Sequence, residues 1–71
     1  MAFSPERLQQ VRRHQGLSQT KLAEKAHVHR TQIAVWEGGY KTPTVLTAQR
    51  LATALGIHVD SLLDGRGVNG E

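Results

Sequence analysis

Apolar residues recur every three or four positions along this chain, in stretches separated by short polar breaks. That spacing places the apolar side chains of each stretch on one side of an α-helix. The side chains predicted to face a core are Leu8, Val11, Leu22, Ala26, Ile33, Trp36, Ala48, Leu51, Ala52 and Leu55. The pattern predicts helices over residues 5–15, 19–26, 29–37 and 43–55, and a short fifth helix within residues 57–63.

Capping residues mark the predicted helix boundaries. Ser4 and Ser18 stand where a side-chain oxygen can accept hydrogen bonds from the free N–H groups of a first turn. Pro5 fits such a first turn. Gly16 and Gly56 stand at predicted C-terminal ends, where glycine readily adopts the left-handed conformation that stops a helix. All the predicted elements are helical, so the predicted fold class is all-α.

Helices 2 and 3 are short and carry few apolar residues, so neither can bury itself alone. Joined by a tight turn, they fit a helix-turn-helix pair, whose second helix is presented to the major groove of DNA. With its large apolar side chains turned inward, helix 3 exposes Thr31, Ala34 and Val35, and Arg30 lies beside them. This uncharged face suits base edges: Arg30 fits the two acceptors of guanine, and Thr31 and Val35 fit a thymine methyl group.

Positive charge is concentrated in the first part of the chain. Residues 1–50 hold eight of the nine Lys/Arg and three of the six Asp/Glu, a net of +5, whereas residues 51–71 have a net of −2. Such a balance favours a polyanionic partner, although a solvated surface explains it as well. Ser18, Tyr40 and Lys41 are candidate phosphate contacts, with loop decoration as the alternative for the last two.

Several classes of protein do not fit the sequence. With 71 residues and no cysteine, the chain indicates one small domain without disulfides or thiolate metal sites. No stretch resembles a signal peptide or a membrane span, so we expect a soluble, cytoplasmic protein. The absence of clustered carboxylates, a Ser/His/Asp arrangement and a glycine-rich phosphate loop predicts no enzyme and no cofactor. His27 and His29 lack a third ligand nearby, so they indicate turn chemistry and no metal site.

An ordered set of these residues resembles the Xre/Cro–repressor class of helix-turn-helix proteins, which have a lambda-repressor-like domain. The resemblance covers roughly residues 5–63 and rests on Leu17-Ser18-Gln19, Leu22-Ala23, Val28, Ile33, Trp36-Glu37, Gly39, Pro43, Leu51-Ala52, Leu55-Gly56 and Leu62-Leu63. It implies a five-helix DNA-binding domain, here residues 1–63, that acts as a dimeric regulator on a partly palindromic operator. Residues 64–71 contain three glycines and little to bury, so they are predicted to form a flexible tail.

The resemblance also implies roles for individual residues. Gln19 resembles the family's glutamine that contacts phosphate and braces helix 3. Arg12 and Glu37 match a pair that joins helix 1 to the end of helix 3, and Arg12 is also a candidate phosphate contact. The positions at which such repressors contact base edges are occupied by His29, Arg30, Thr31 and Val35. His27 departs from the family, because it stands where a glycine usually forms the turn.

Dimerisation is expected through the C-terminal region, where this family has its interface. Leu46 and Val59 would be exposed in a monomer, and burying them would help a small core. Double-stranded DNA is the expected main partner, and repression by occupying a promoter is the simplest function. The alternatives are an antitoxin-like protein that neutralises a partner protein, a controller protein of a restriction–modification system and an adaptor that does not bind DNA.

Overall fold

A computed structural model describes residues 2–64, which form four α-helices, one turn of 3₁₀ helix and a pair of two-residue strands. The elements in chain order are β1 (Ala2–Phe3), α1 (Pro5–His14), α2 (Gln19–Ala26), α3 (Arg30–Glu37), α4 (Val45–Leu55), the 3₁₀ helix (Val59–Leu62) and β2 (Leu63–Asp64). The all-α class is confirmed, because only the two short terminal strands are not helical elements in this part of the chain.

The core lies where the four α-helices and the 3₁₀ helix meet. Each of these elements contributes one aliphatic side chain that is 0% exposed: Leu8, Leu22, Ile33, Leu51 and Leu62. The predicted inward side chains are all buried except Val11, which is half-buried and packs against the same cluster. Full burial of a Leu or Ile side chain contributes about 1.5–3 kcal/mol, so these five side chains supply a large share of the favourable free energy.

Side-chain caps begin three of the four described α-helices. Ser4 and Ser18 cap α1 and α2 by accepting hydrogen bonds, at 3.3 and 3.0 Å, from the backbone N–H groups three residues further on. Thr44 caps α4 in the same way, so that helix begins at Val45 and not at Pro43 as predicted. Pro43 is buried ahead of the cap, where its missing N–H is not required.

A residue with a left-handed backbone follows each of the four described α-helices within two positions. These residues are Gly16, His27, Gly39 and Gly56, with φ angles of 71°, 59°, 79° and 70°. At each end, the N–H of the next residue donates to the carbonyl five residues earlier, as Val28 does to Ala23 at 3.0 Å. The turn between α2 and α3 therefore keeps the left-handed conformation expected of a glycine, although a histidine stands there.

Replacing His27 with glycine is expected to raise the free energy of unfolding by about 0.5–1 kcal/mol. The left-handed conformation costs an L residue about 1–2 kcal/mol, and the greater freedom of glycine in the unfolded chain removes part of the gain. The His27 side chain is exposed, so little packing is lost. Denaturant melts should show the stabilisation for His27→Gly but not for the control His27→Ala, because alanine keeps the strain. Equal stabilisation by both would show that the imidazole, and not the backbone, is unfavourable here.

The fifth helix is a single 3₁₀ turn and not the short α-helix that the five-helix prediction implied. It spans Val59–Leu62, and the chain becomes extended at Leu63. There β2 pairs with β1 in antiparallel register, and the Ser4 N–H donates to the Leu62 carbonyl at 2.8 Å. This pairing stops the helix after one turn and includes Asp64, which the sequence assigned to the tail. The rest of the predicted tail, residues 65–71, lies outside the described residues.

Candidate nucleic-acid interface

Arg12 and Glu37 form a buried ion pair that joins α1 to the end of α3. Arg12 Nε donates to Glu37 Oε2 at 2.6 Å and Nη2 donates to Oε1 at 2.9 Å, with the two side chains 9% and 3% exposed. Arg12 Nη1 donates to the Leu17 carbonyl at 2.8 Å, and Gln19 Nε2 donates to Glu37 Oε1 at 3.1 Å. One carboxylate therefore ties together α1, the start of α2 and the end of α3.

This network occupies the side chain of Arg12. Arg12 is also a predicted phosphate contact, but its side chain is 9% exposed and all three of its nitrogens donate within the protein, so the structure contradicts that prediction. The hydrogen bond to Glu37 raises the pKa of Arg12, and burial opposes that rise. Because this pKa is raised in the folded chain, the stabilising contribution of the Arg12 charge is lost only when the pH rises through the raised pKa.

The start of α2 is a capped and exposed turn. Ser18, Thr20 and Lys21 are exposed there, at the positive end of the helix dipole. Lys21 Nζ lies 3.9 Å from the Glu24 carboxylate, but the two side chains are 69% and 66% exposed. Such a pair contributes little, which leaves Lys21 available to another anion. Backbone N–H groups and a cation at one helix start are suited to bind a phosphate.

The start of α3 presents polar side chains to solvent. The exposed residues there are His29, Arg30, Thr31 and Gln32. Val35, one turn further on, is half-buried and packs against the core cluster, so only the outer part of its side chain is accessible. A hollow of about 210 Å³ beside it is also lined by Thr31 and Lys41. The loop lysine therefore lies next to the exposed face of α3.

Gln32 belongs to this face, although the apolar pattern gives no reason to single it out. The backbone N–H of His29, the N-cap residue of α3, donates to Gln32 Oε1 at 3.1 Å. With that oxygen occupied, the Nε2 group remains as a donor, which suits acceptors such as guanine O6 or thymine O4. A glutamine three residues after an N-cap residue forms half of a capping box. This spacing between His29 and Gln32 is the feature of the sequence that could have pointed to Gln32.

The loop after α3 holds Tyr40 in a defined position. Its N–H donates to the Val35 carbonyl at 3.1 Å, and its ring lies over Gly38, where an added Cβ would come within 2.6 Å of the ring. The Tyr40 side chain is nevertheless 82% exposed, and Lys41 beside it is exposed as well. Two of the predicted phosphate contacts therefore follow the C-terminal end of α3, and Ser18 stands at the start of α2.

Leu46 and Val59, the predicted dimer contacts, do not lie together. Leu46 is 60% exposed and lines a cleft that α4 shares with the end of α2. Val59 is half-buried against the core and lines a separate hollow of about 250 Å³. Val45, which is 75% exposed, lines that second hollow too. Val45, and not Leu46, therefore lines the same hollow as Val59. The sequence indicates that Val45 is exposed, because it stands off the buried stripe of α4.

The exposed side chains at the start of α3 can form hydrogen bonds and apolar contacts. Among the side chains of residues 3–63, no three from His, Cys, Asp or Glu come together as a metal ion would require. Over the same residues, no helix is long and apolar enough to cross a membrane. The exposed start of α3 offers instead an arginine, a glutamine amide, a hydroxyl and a methyl surface, the groups that contact base edges in a DNA groove.

Residues 8–62 match the model of the HTH_3 family, which is described as helix-turn-helix. This chain belongs to the HTH_3 helix-turn-helix family. The match runs from α1 to the 3₁₀ helix and so includes every helix of the buried core. The resemblance to the Xre/Cro–repressor class is thereby confirmed. The family is one of DNA-binding transcription regulators.

Two known regulators are similar in sequence to this HTH_3 chain. The HTH-type transcriptional activator BcrR of Enterococcus faecalis is 37% identical over 60 residues, which are 84% of this chain and 29% of that protein. The immunity repressor protein of Bacillus phage phi105 is 34% identical over 58 residues, which are 82% of this chain and 40% of that protein. The chain therefore spans well under half the length of these curated relatives. One is named an activator and the other a repressor, so membership in the family does not decide the direction of regulation.

Two solved structures share the fold. The restriction–modification controller protein C.AhdI from Aeromonas hydrophila has a TM-score of 0.81 at 32% identity, covering 83% of this chain and 89% of that chain. The biofilm master regulator SinR, in complex with DNA, has a TM-score of 0.80 at 30% identity, covering 84% of this chain and 97% of that chain. Each similarity covers nearly all of the other chain, so the arrangement of helices is shared throughout these domains.

Proposed function

We propose that this chain is a sequence-specific DNA-binding transcription regulator that acts as a dimeric repressor on a partly palindromic operator. The observation that carries the proposal is the exposed, uncharged face at the start of α3, flanked by Arg30 and Lys41. The buried pair of Arg12 and Glu37 fixes the end of this helix against α1. A helix that is fixed in this way holds its exposed side chains in the positions that recognition of base edges requires. Similarity to SinR, whose solved structure contains DNA, supports the same reading.

In this proposal α3 enters the major groove. Arg30 donates to the two acceptors of one guanine, O6 and N7. Thr31 and the outer part of Val35 contact a thymine methyl group or a mixed edge. His29, at the N-cap, and Gln32, through Nε2, reach the neighbouring base edges. The start of the recognition helix carries these contacts because the N-terminal residues of such a helix approach the bases most closely.

Phosphate contacts flank the recognition helix on both sides. Ser18 and Gln19 lie at the start of α2, and Tyr40 and Lys41 follow α3. Such contacts fix the orientation of the domain on the duplex and carry no sequence information themselves. The net charge of +5 over residues 1–50 adds long-range attraction to DNA that weakens with salt. Because the proposed ligand is chromosomal DNA, the proposed location is the cytoplasm.

Selection of bound sites from random duplex DNA tests this function directly. We expect one enriched motif with two inverted half-sites, whose centres lie about 10–10.5 base pairs apart or a multiple of that spacing. A promoter carrying the selected site upstream of a reporter should then be repressed by the protein. Absence of any enriched motif at moderate salt would contradict sequence-specific binding. The antitoxin-like role stays an alternative prediction, and it uses the same DNA-binding face.

Sedimentation should show a dimer, either of the free chain at micromolar concentration or on the selected duplex. Val45 and Val59 line one apolar hollow, and burying it against a second copy removes exposed apolar surface. Val45→Glu should weaken this association by about tenfold or more, because it places an unpaired charge in the interface. Gln10→Glu, an exposed change on α1, is the matched control and should leave association unchanged. A monomer at high micromolar concentration, both free and on DNA, would contradict the dimer.

A further inference from the structure

An open cleft of about 790 Å³ lies between the C-terminal end of α2 and the exposed face of α4. Lys25 and His27 line one side of it, and Leu46, Arg50 and Ala54 line the other. A cleft of this size accommodates several side chains of a ligand. None of the residues that line it has a role in the proposed contacts with base edges or phosphates.

The cleft carries positive charge that the described residues do not balance. Lys25 and Arg50 are both exposed, and no Asp or Glu lines the cleft. The ion pairs found within residues 3–63 are those of Arg12 with Glu37 and of Lys21 with Glu24, so neither cleft cation has a carboxylate within salt-bridge distance there. Two cations that face one cleft favour an anionic occupant.

The floor of the cleft distinguishes between kinds of anion. Leu46 is 60% exposed, and Ala54 is half-buried beside it. A phosphate backbone gains from the cations but gains nothing from covering a leucine. A peptide segment with both carboxylates and apolar side chains gains from both, since covering apolar surface contributes about 25 cal/mol per Å². The combination of cations and exposed leucine therefore favours a protein segment over DNA.

The cleft is separate from the surface proposed to face DNA. It shares no lining residue with the hollow beside α3. It also lies at the end of α2 that is opposite to the capped start at Ser18, roughly 12 Å away along the helix. The residues that line the cleft are therefore different from those proposed to contact bases and phosphates.

We propose that this cleft binds a short acidic, partly apolar segment of a partner protein while α3 is on DNA. The inference goes beyond the proposed regulator function, because it adds a protein-binding surface and does not depend on which operator is recognised. Lys25 and Arg50 pair with carboxylates of the segment, and Leu46 packs against its apolar side chains.

The probe is a synthetic amidated peptide of about nine residues that contains only glutamate and leucine, since a few residues are enough to fill such a cleft. It is titrated into the full chain, free and bound to the selected duplex, while backbone amide NMR shifts and DNA affinity are recorded. We expect shifts at residues 25–27 and 46–54 in both samples, with DNA affinity unchanged. Matched peptides with glutamine in place of glutamate, or serine in place of leucine, should bind more weakly.

Variants of the chain complete the test. Lys25→Gln with Arg50→Gln should weaken peptide binding about five- to tenfold, the effect of two exposed charge pairs, and Leu46→Ser should weaken it as well. Arg7→Gln with Arg13→Gln removes the same charge from exposed positions on α1 and should leave peptide binding unchanged.

Four results would overturn the proposal. These are no shifts at millimolar peptide, displacement of DNA by the peptide, a loss of DNA affinity in the cleft variant beyond that of the α1 control, and a change in oligomeric state in the cleft variant alone. The third would identify a phosphate contact, and the fourth would identify an interface between copies of the chain.

Discussion

Replacing Glu37 with leucine is expected to lower the free energy of unfolding by about 3 kcal/mol, because it leaves the Arg12 guanidinium buried without its counter-ion. The two side chains are 9% and 3% exposed and share two hydrogen bonds of 2.6 and 2.9 Å. The substitution also removes the acceptor of the Gln19 hydrogen bond. In a domain of this size, such a loss corresponds to a decrease in melting temperature of roughly 12–24 °C.

Thermal and denaturant melts of Arg12→Met, Glu37→Leu and the double variant measure this coupling. The double variant should recover much of the stability, because two apolar side chains of similar volume remove both buried charges together. The exposed pair of Lys21 and Glu24 is the control, and Glu24→Gln should change stability by less than about 0.5 kcal/mol. If the two single changes are small and simply additive, the charges do not interact in solution.

Replacing Arg30 with alanine is expected to relax base preference at one position of each half-site, by about 1–3 kcal/mol of discrimination. Arg30 is the first residue of α3 and is exposed beside the small, uncharged side chains of that face. A planar guanidinium that donates to guanine O6 and N7 cannot form this pair of hydrogen bonds at another base, because only guanine presents both acceptors. Affinities for the selected site, a one-base variant and scrambled DNA give the effect. An equal loss on all three would make Arg30 a phosphate contact and would change the register assigned to the recognition helix.

Lys41→Ala is the matched change for a phosphate contact. It should weaken binding to all three duplexes alike and reduce the salt slope by about one counterion per subunit. The selected motif should be unchanged. Lys41 lines the same hollow as Thr31 and Val35. The alternative to a phosphate contact is therefore that Lys41 contacts a base edge. If Lys41→Ala alters base preference, the loop reads sequence together with α3.

Some side-chain placements could not follow from the order of residues. Glu37 was expected near Arg12 only through the family resemblance, whereas its second partner, Gln19, depends on how α2 packs against α3. Arg12 is buried where α1 meets the end of α3, which removes it from the phosphate contacts. Val59 was expected to be exposed but is half-buried, and Val45 was not expected to lie beside it. These differences depend on contacts between residues distant in the chain, which helical periodicity does not specify.

The local elements were readable in the sequence because their causes are local. Capping hydrogen bonds span three residues, left-handed helix ends span five, and an apolar stripe repeats about every 3.6 positions, so each leaves its pattern in neighbouring residues. That is why the sequence places the first three helices to within one residue, whereas the unusual residue in the turn, His27, is identified only through the family resemblance. Tertiary structure decided the elements that need a distant partner. The pairing of β1 with β2 limits the fifth helix to one 3₁₀ turn, and the approach of α2 to α4 creates the cationic cleft. Both depend on segments that are far apart in sequence, and only the packed core brings those segments together.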